Sequence, residues 1–367
     1  MTGRRAAALV AVAGSRGGAA WQRSGGSTAN TPAARYGAAT TFLQPTGSVG
    51  TPLVCGGGDG AGNALDDCAV LAVDSWAWTQ VVAPGVTVGR VMHTAALTVP
   101  PDFCLQWGGN NATGSVDPDV EEVGAWKPQG ALFFNSPNIT RYGHSAVMVG
   151  APAYPPAWVI FGGTSTEDGV DLGDMLVLSM SVAPGTAVPP TFTWYPVVAV
   201  GTLPSPRKFH SAVVYNNQMY VYGGLAAGVA LSDLYVFVLD ATLASGRWEY
   251  ITPTGPTPAL YGHRAMVAGS LMVVVGGLTT GSSLPPSASS GGVVAADLSV
   301  DTPVWSTPTV IGPAPSTWFL PAVALFTPQG TTAPQLVYFG GGANDAGASP
   351  TAATFVLTDI GALHSVS

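Results

Sequence analysis

Six times along the chain an apolar run ends in a Gly-Gly pair. The runs are Leu53-Val54-Cys55-Gly56-Gly57, Leu105-Gln106-Trp107-Gly108-Gly109, Ile160-Phe161-Gly162-Gly163, Val221-Tyr222-Gly223-Gly224, Val274-Val275-Gly276-Gly277 and Tyr338-Phe339-Gly340-Gly341, 52 to 64 residues apart. A signal returning at that interval means one structural unit used repeatedly. Glycine at the end of a strand admits a positive φ or a close backbone approach that a Cβ would forbid. One such pair is weak evidence, but six in phase constrain the fold strongly.

Other residues keep the same phase. Upstream of the pairs stand Arg35-Tyr36-Gly37-Ala38, Arg90-Val91-Met92-His93, Arg141-Tyr142-Gly143-His144, Arg207-Lys208-Phe209-His210 and Leu260-Tyr261-Gly262-His263. In the sixth unit the motif has decayed to Thr317-Trp318-Phe319-Leu320, with Thr317 read in the arginine position. Downstream come Asp67-Cys68, Asp174-Met175, Asp233-Leu234 and Asp297-Leu298, and then Trp78, Trp194, Trp248 and Trp305. The stretch Arg141 to Trp194 shows the unit most fully. It has four short apolar runs with turn residues between them, which predicts a four-stranded antiparallel meander.

Composition agrees. Hydrophobic residues make up 47% of the 367 positions and charged residues 9%, with 48 glycines and 31 prolines. That balance suits short strands and tight connections, and it excludes the low-hydrophobicity, high-charge regime of disordered chains. No run approaches the 18 or so apolar residues of a membrane span. A net charge of −8 with only Lys127 and Lys208 as lysines argues against a nucleic-acid surface, which needs clustered cations. The first 58 residues hold no Asp or Glu, and Arg4 and Arg5 precede an Ala-rich run, so residues 1–19 read as a targeting-like or disordered segment.

In these motifs the chain resembles the kelch-repeat family over about residues 21–360. The resemblance implies an all-β fold, a six-bladed propeller of four antiparallel strands per blade. Blades are expected to start near 35, 90, 141, 207, 260 and 317, within a propeller spanning 20–360 and followed by a tail at 361–367. The sixth unit shows no strand-four Trp, whereas Trp21 stands alone before the first motif. A strand over 20–25 is therefore expected to complete the last blade and close the ring, which leaves no unpaired edge between first and last blades. Two units deviate: Asp117, Asp119, Glu121 and Glu122 crowd the third strand of the second, where Trp126 is out of register, and the fifth carries a low-complexity loop over 279–292. The Asp at the start of strand three is expected to cap its hairpin by accepting backbone N–H bonds.

Candidate chemistry is sparse. Cys55 and Cys68 fall on hairpin-partner strands, as a disulfide or as two buried thiols. A similar Cys-Gly-Gly…Cys arrangement occurs in extracellular kelch proteins, and a disulfide would point to a secretory or extracellular compartment. Asn111 and Asn138 head glycosylation sequons. His93, His144, His210 and His263 hold one repeat position each, so they read as structural and no metal site is expected. The loop Glu167 to Asp171 reads as solvated. Resemblance to kelch adaptors makes Arg35, Arg90, Arg141 and Arg207 candidate ligand-binding residues around the central pocket, able to hold carboxylates. The alternative is that each pairs with a local Asp or carbonyl. The expected function is a protein- or peptide-binding module acting through one loop face and the central pocket, a monomer without cofactor, whose partner is a protein or acidic peptide. The alternative is a kelch enzyme acting on a carbohydrate or small acid, for which no catalytic set stands out.

Overall fold

The computed structural model describes residues 19–24, 30–43, 51–81, 89–98, 103–111, 121–124, 140–150, 157–181, 191–280, 292–347 and 349–364. The expectations for residues 1–18, Asp117, Asp119, Trp126, Asn138, most of the fifth-unit loop and residues 365–367 lie outside them.

The described residues form an all-β propeller. Ala39–Leu43, Thr51–Cys55, Cys68–Ala72 and Ala77–Val81 make one antiparallel four-stranded sheet. Ser145–Val149, Ala157–Phe161, Met175–Ser181 and Thr191–Pro196 make another, as do Tyr261–Ala268, Leu271–Leu278, Val293–Asp297 and Trp305–Ser306. The last consists of Ala322–Phe326, Gln335–Phe339, Thr354–Thr358 and the N-terminal strand Ala20–Arg23. In that sheet Trp21 is registered against Leu357, so the chain's two ends are joined by a strand ladder.

The expectation of six blades with four strands each needs correction: among the described residues five blades of four or more strands are formed. The unit opening at Arg90 contributes three strands, Thr94–Thr98, Phe103–Trp107 and Glu121–Gly124, among the described residues. Its acidic cluster and displaced Trp had marked this unit as irregular. The unit opening at Arg207 departs the other way. Val198–Gly201 adds a fifth strand, parallel to Ser245–Ile251, on the outer edge of its blade. After the last strand, Ile360–His364 forms a 3-10 turn whose Ile360 and Leu363 are buried in the core.

Neighbouring sheets are held by a repeated aromatic contact. Each strand-four Trp reaches back to the residue before the Gly-Gly pair of the preceding unit. Ring centroids are 4.9 Å apart for Trp78 and Phe339, 5.0 Å for Trp248 and Phe161, 4.3 Å for Trp305 and Tyr222, and 5.0 Å for Trp194 and Trp107. Trp21 closes the series in the cluster that contains Val275. Such tilted and edge contacts add to the hydrophobic gain of burying the rings.

At the axis, six backbone groups close a circle. The N–H of Met92 donates to the carbonyl of Gly37 (2.7 Å), Gly143 to Met92 (3.0 Å), Phe209 to Gly143 (2.8 Å), Gly262 to Phe209 (2.8 Å), Leu320 to Gly262 (2.7 Å) and Gly37 to Leu320 (2.8 Å). All six residues have positive φ, between 48° and 68°. Glycine and bulky side chains alternate around the circle. A Cβ on Gly143 would lie 2.7 Å from the Phe209 ring, so the glycine supplies the room that the aromatic fills.

The closure at Trp21 makes a prediction. Trp21→Ala removes a side chain that is 1% exposed and should lower the unfolding free energy by about 3–5 kcal/mol in urea denaturation. A loss below about 1 kcal/mol would mean that the N-terminal strand contributes little to closure.

Candidate functional site

The arginines come first, because the sequence singled them out. Arg35, Arg141 and Arg207 are 0–1% exposed. Each grips the Asp that opens strand three of its own unit through two parallel hydrogen bonds. The distances are 2.7 and 2.8 Å to Asp67, 2.7 and 2.8 Å to Asp174, and 2.6 and 2.9 Å to Asp233. The same guanidiniums donate to the carbonyls of Gly56, Gly162 and Gly223 at 2.8 to 3.0 Å. Arg90 makes the equivalent bond to Gly108 at 3.0 Å. The expectation that these four line a ligand pocket is thereby corrected. They are staples that tie the first strand of a unit to its Gly-Gly turn, buried and hydrogen-bonded within the unit. The carboxylates of Asp67, Asp174 and Asp233 accept from arginine, not from backbone N–H as expected.

The sixth unit is shifted by one residue from the sequence reading. The second glycine of each pair donates to the next unit's arginine-position carbonyl, as Gly57 does to Arg90 (2.7 Å) and Gly163 to Arg207 (2.8 Å). Gly277 donates to Trp318, so Trp318 and not Thr317 holds that position. Thr317 donates its hydroxyl to the Gly340 carbonyl at 2.9 Å, supplying the bond that arginine supplies elsewhere.

Beneath the axial circle lies a cavity of about 120 Å³. The residue after each histidine position projects into it: Ala39, Thr94, Ser145, Ser211 and Arg264. Met92, Phe209 and Leu320 of the circle line it too. His93, His144 and His210 line it as well, and all four histidines of this position, His263 included, are buried. They link the units in part, since Thr94 Oγ1 meets His144 Nε2 at 2.8 Å and Ser145 Oγ meets His210 Nε2 at 2.8 Å. Burial holds all four neutral, aided by the neighbouring guanidiniums. His93 and His263 are pushed down to about 3, and His144 and His210 well below the usual imidazole range.

Arg264 is the one charged residue in the cavity wall. No carboxylate answers it, and it makes no hydrogen bond or ion pair with the described residues. It is half-buried at the cavity wall, and desolvation lowers its pKa to about 10. The motif reading overlooked this residue because attention stayed on its first and fourth positions. A long cation in a place otherwise held by Ala, Thr and Ser was the available signal.

Cys55 and Cys68 form a disulfide across directly registered strands. The bridge closes a loop with a sequence separation of 13, worth about 3 kcal/mol by the chain-entropy estimate. Cys55 fills the position before Gly-Gly that elsewhere receives a Trp from the next unit. Among the described residues no group of three His, Cys, Asp or Glu is placed to hold a metal ion, and no helix is long and apolar enough to cross a membrane. Asn111 is half-buried. In the Glu167–Asp171 loop, Asp171 accepts from Thr164 and lies 3.7 Å from Lys208, while Asp168 caps Val170.

Comparison with known proteins agrees with this geometry. The family model described as "KLHDC2/KLHL20/DRC7 Kelch-repeats domain" matches residues 102–341. The chain belongs to the kelch-repeat family. Relatives include acyl-CoA-binding domain-containing protein 4 of Arabidopsis thaliana, 28% identical over 60% of this chain and 32% of that protein. Adagio protein 3 of Arabidopsis thaliana is 32% identical over 55% of the chain and 30% of its own length. Host cell factor 1 of Homo sapiens is 30% identical over 47% of the chain and 9% of its own length. The kelch chain thus spans about a third or less of the relatives it matches.

Two predictions follow from the site's structural residues. Arg141→Ala leaves the buried Gly162 carbonyl without its donor and the exposed Asp174 carboxylate without its partner, and should cost about 1–3 kcal/mol in chemical denaturation. A variant within about 1 kcal/mol of the parent would restore the case for a ligand-binding arginine. Each buried histidine binds a proton in the unfolded chain below about 6.5 but stays neutral in the fold until far lower pH. Stability is therefore present above that value and lost as pH falls toward about 3, with a slope of about 1.4 kcal/mol per pH unit for each histidine. Denaturation midpoints measured between pH 7 and pH 4 should fall steeply, and His263→Asn should flatten the slope by one proton. A flat profile would contradict burial in the neutral form.

Proposed function

We propose that this kelch propeller is an interaction module that binds a protein or peptide across the loop face surrounding its axial circle. The observation that carries the reading is a collar at the second motif position. Tyr36, Val91, Tyr142, Lys208, Tyr261 and Phe319 stand there in the six units around the axis, with Phe319 against the Tyr261 ring. Lys208 sits 5.7 Å from the Tyr142 ring and 5.6 Å from the Phe209 ring, next to Asp171. Rings with an apolar body and a polar tip give large contact area at small entropic cost, and aromatic and cationic side chains are enriched where proteins meet. The staples and tryptophans are committed to holding the propeller, so variation in the collar and the loops is free to set specificity. Kelch family membership supports the same class of function. An acidic peptide suits the collar's lysine better than a basic one.

The test is affinity capture with the intact chain and with a Tyr142→Ala, Lys208→Ala variant, quantified by mass spectrometry. A set of proteins retained by the parent should fall by at least tenfold with the variant, while the thermal midpoint stays within a few degrees. The same set retained equally by both would remove the collar as the binding surface.

A further inference from the structure

One unit carries more strand than the repeat provides. In the last two units the incoming chain touches the outermost strand at a single parallel bridge, Thr254 with Val304 and Ile311 with Ala20. In the unit opening at Arg207 the same approach lengthens into the strand Val198–Gly201, registered along Ser245–Ile251. That strand ends its sheet, and among the described residues no strand pairs with its other side. Val198 and Thr202 donate their N–H groups inward to Ala244 and Trp248, at 2.9 and 3.1 Å. Backbone groups alternate sides along a ladder, so those of Ala199 and Gly201 face the open edge.

An open edge is a template for another strand, and proteins guard it with charge, proline or a covering loop. This edge carries no charge, since no charged residue occurs between Asp174 and Arg207. Pro196 and Pro204 bound the strand and leave its two outward N–H groups in place. Val198, Val200 and Leu203 are 66%, 52% and 57% exposed. On the same face of the neighbouring strand Arg247 is answered by Glu249 at 3.0 Å, so that pair adds no net charge.

The occupant follows from charge and symmetry. The chain carries a net charge of −8, so two copies repel over most of their surface, and an uncharged apolar edge is where they meet without that cost. Outward groups on two residues spaced by one are also self-complementary. When two such strands run antiparallel, Ala199 of each copy exchanges both backbone bonds with Gly201 of the other. Val200 then lies against Val200 of the second copy at the two-fold axis, in the non-hydrogen-bonded kind of pair whose side chains come closest.

We propose that two copies of this chain pair antiparallel through Val198–Gly201, about a two-fold axis at Val200. The edge stands at the opposite end of its five-stranded sheet from Ser211–Tyr215, the strand nearest the central cavity. Both loop faces therefore stay free, and the dimer offers two collars to clustered partner segments, which raises avidity. The pairing does not depend on what the collar binds.

The experiment is sedimentation equilibrium of the intact chain over a wide range of concentration, beside Val200→Lys, Val200→Glu and an equimolar mixture of the two variants. The parent should pass from monomer to dimer as concentration rises. Each variant alone should raise the dissociation constant roughly tenfold or more, because like charges face each other at the axis. The mixture should regain association, because opposite charges then meet there. Position 200 is exposed, so thermal midpoints should stay within a few degrees of the parent; should Val200→Lys not fold, Val198→Lys takes its place. A parent that stays monomeric throughout overturns the proposal, as does association that Val200→Lys leaves unchanged. A mixture no better than either variant alone overturns the two-fold at Val200. A monomeric parent that captures another protein through this edge, released by Val200→Lys, assigns the edge to a foreign strand and overturns self-pairing.

Discussion

A closed circle of six backbone hydrogen bonds at the axis is the constraint on which the rest of the propeller depends. Each unit gives one N–H and takes one N–H, so no unit can be left out without orphaning two backbone groups of the circle. The geometry demands left-handed backbone at all six positions. Where the sequence has Gly37, Gly143 and Gly262 that conformation is easily adopted. At Met92, Phe209 and Leu320 it is strained, and the strain persists because those side chains pack in one apolar cluster at the axis.

Outside the circle, each layer of contact uses a different physical device. Backbone bonds from the second glycine of each pair stitch one unit to the next. Buried arginine–aspartate forks fix the Gly-Gly turn within a unit, and the strand-four tryptophans fill the seam between blades. Where one device is missing another stands in. Thr317 replaces an arginine donor at Gly340, and the Cys55–Cys68 disulfide occupies the seam position that lacks an aromatic. With the outer positions so committed, the small inner-strand residues leave a cavity, and Arg264 alone gives it charge.

Much of this was legible in the chain. The Gly-Gly period and the in-phase motifs gave the propeller, and the isolated Trp21 gave the closing strand, because strand periodicity and turn chemistry are local and repeat. Arg141 was visible as a repeated cation, but whether it faced a ligand or Asp174 depended on the fold bringing position 141 to position 174. The single-residue slip at Thr317 was hidden because both Thr317 and Trp318 fit a decayed motif, and only the carbonyl accepting from Gly277 tells them apart. Val198–Gly201 was missed as a strand because its partner, Ser245–Ile251, lies across the whole blade. Arg264 was overlooked for a different reason: it is a departure from the repeat, and a search for the repeat discards departures.

Amide hydrogen exchange at the six axial positions tests the central claim directly. If the circle closes the propeller as a unit, the amides of Gly37, Met92, Gly143, Phe209, Gly262 and Leu320 exchange together and last, with a common opening free energy equal to that of global unfolding. Exchange of these amides at widely different rates, or well before the strand ladders open, would contradict the claim that the axial ring holds the fold.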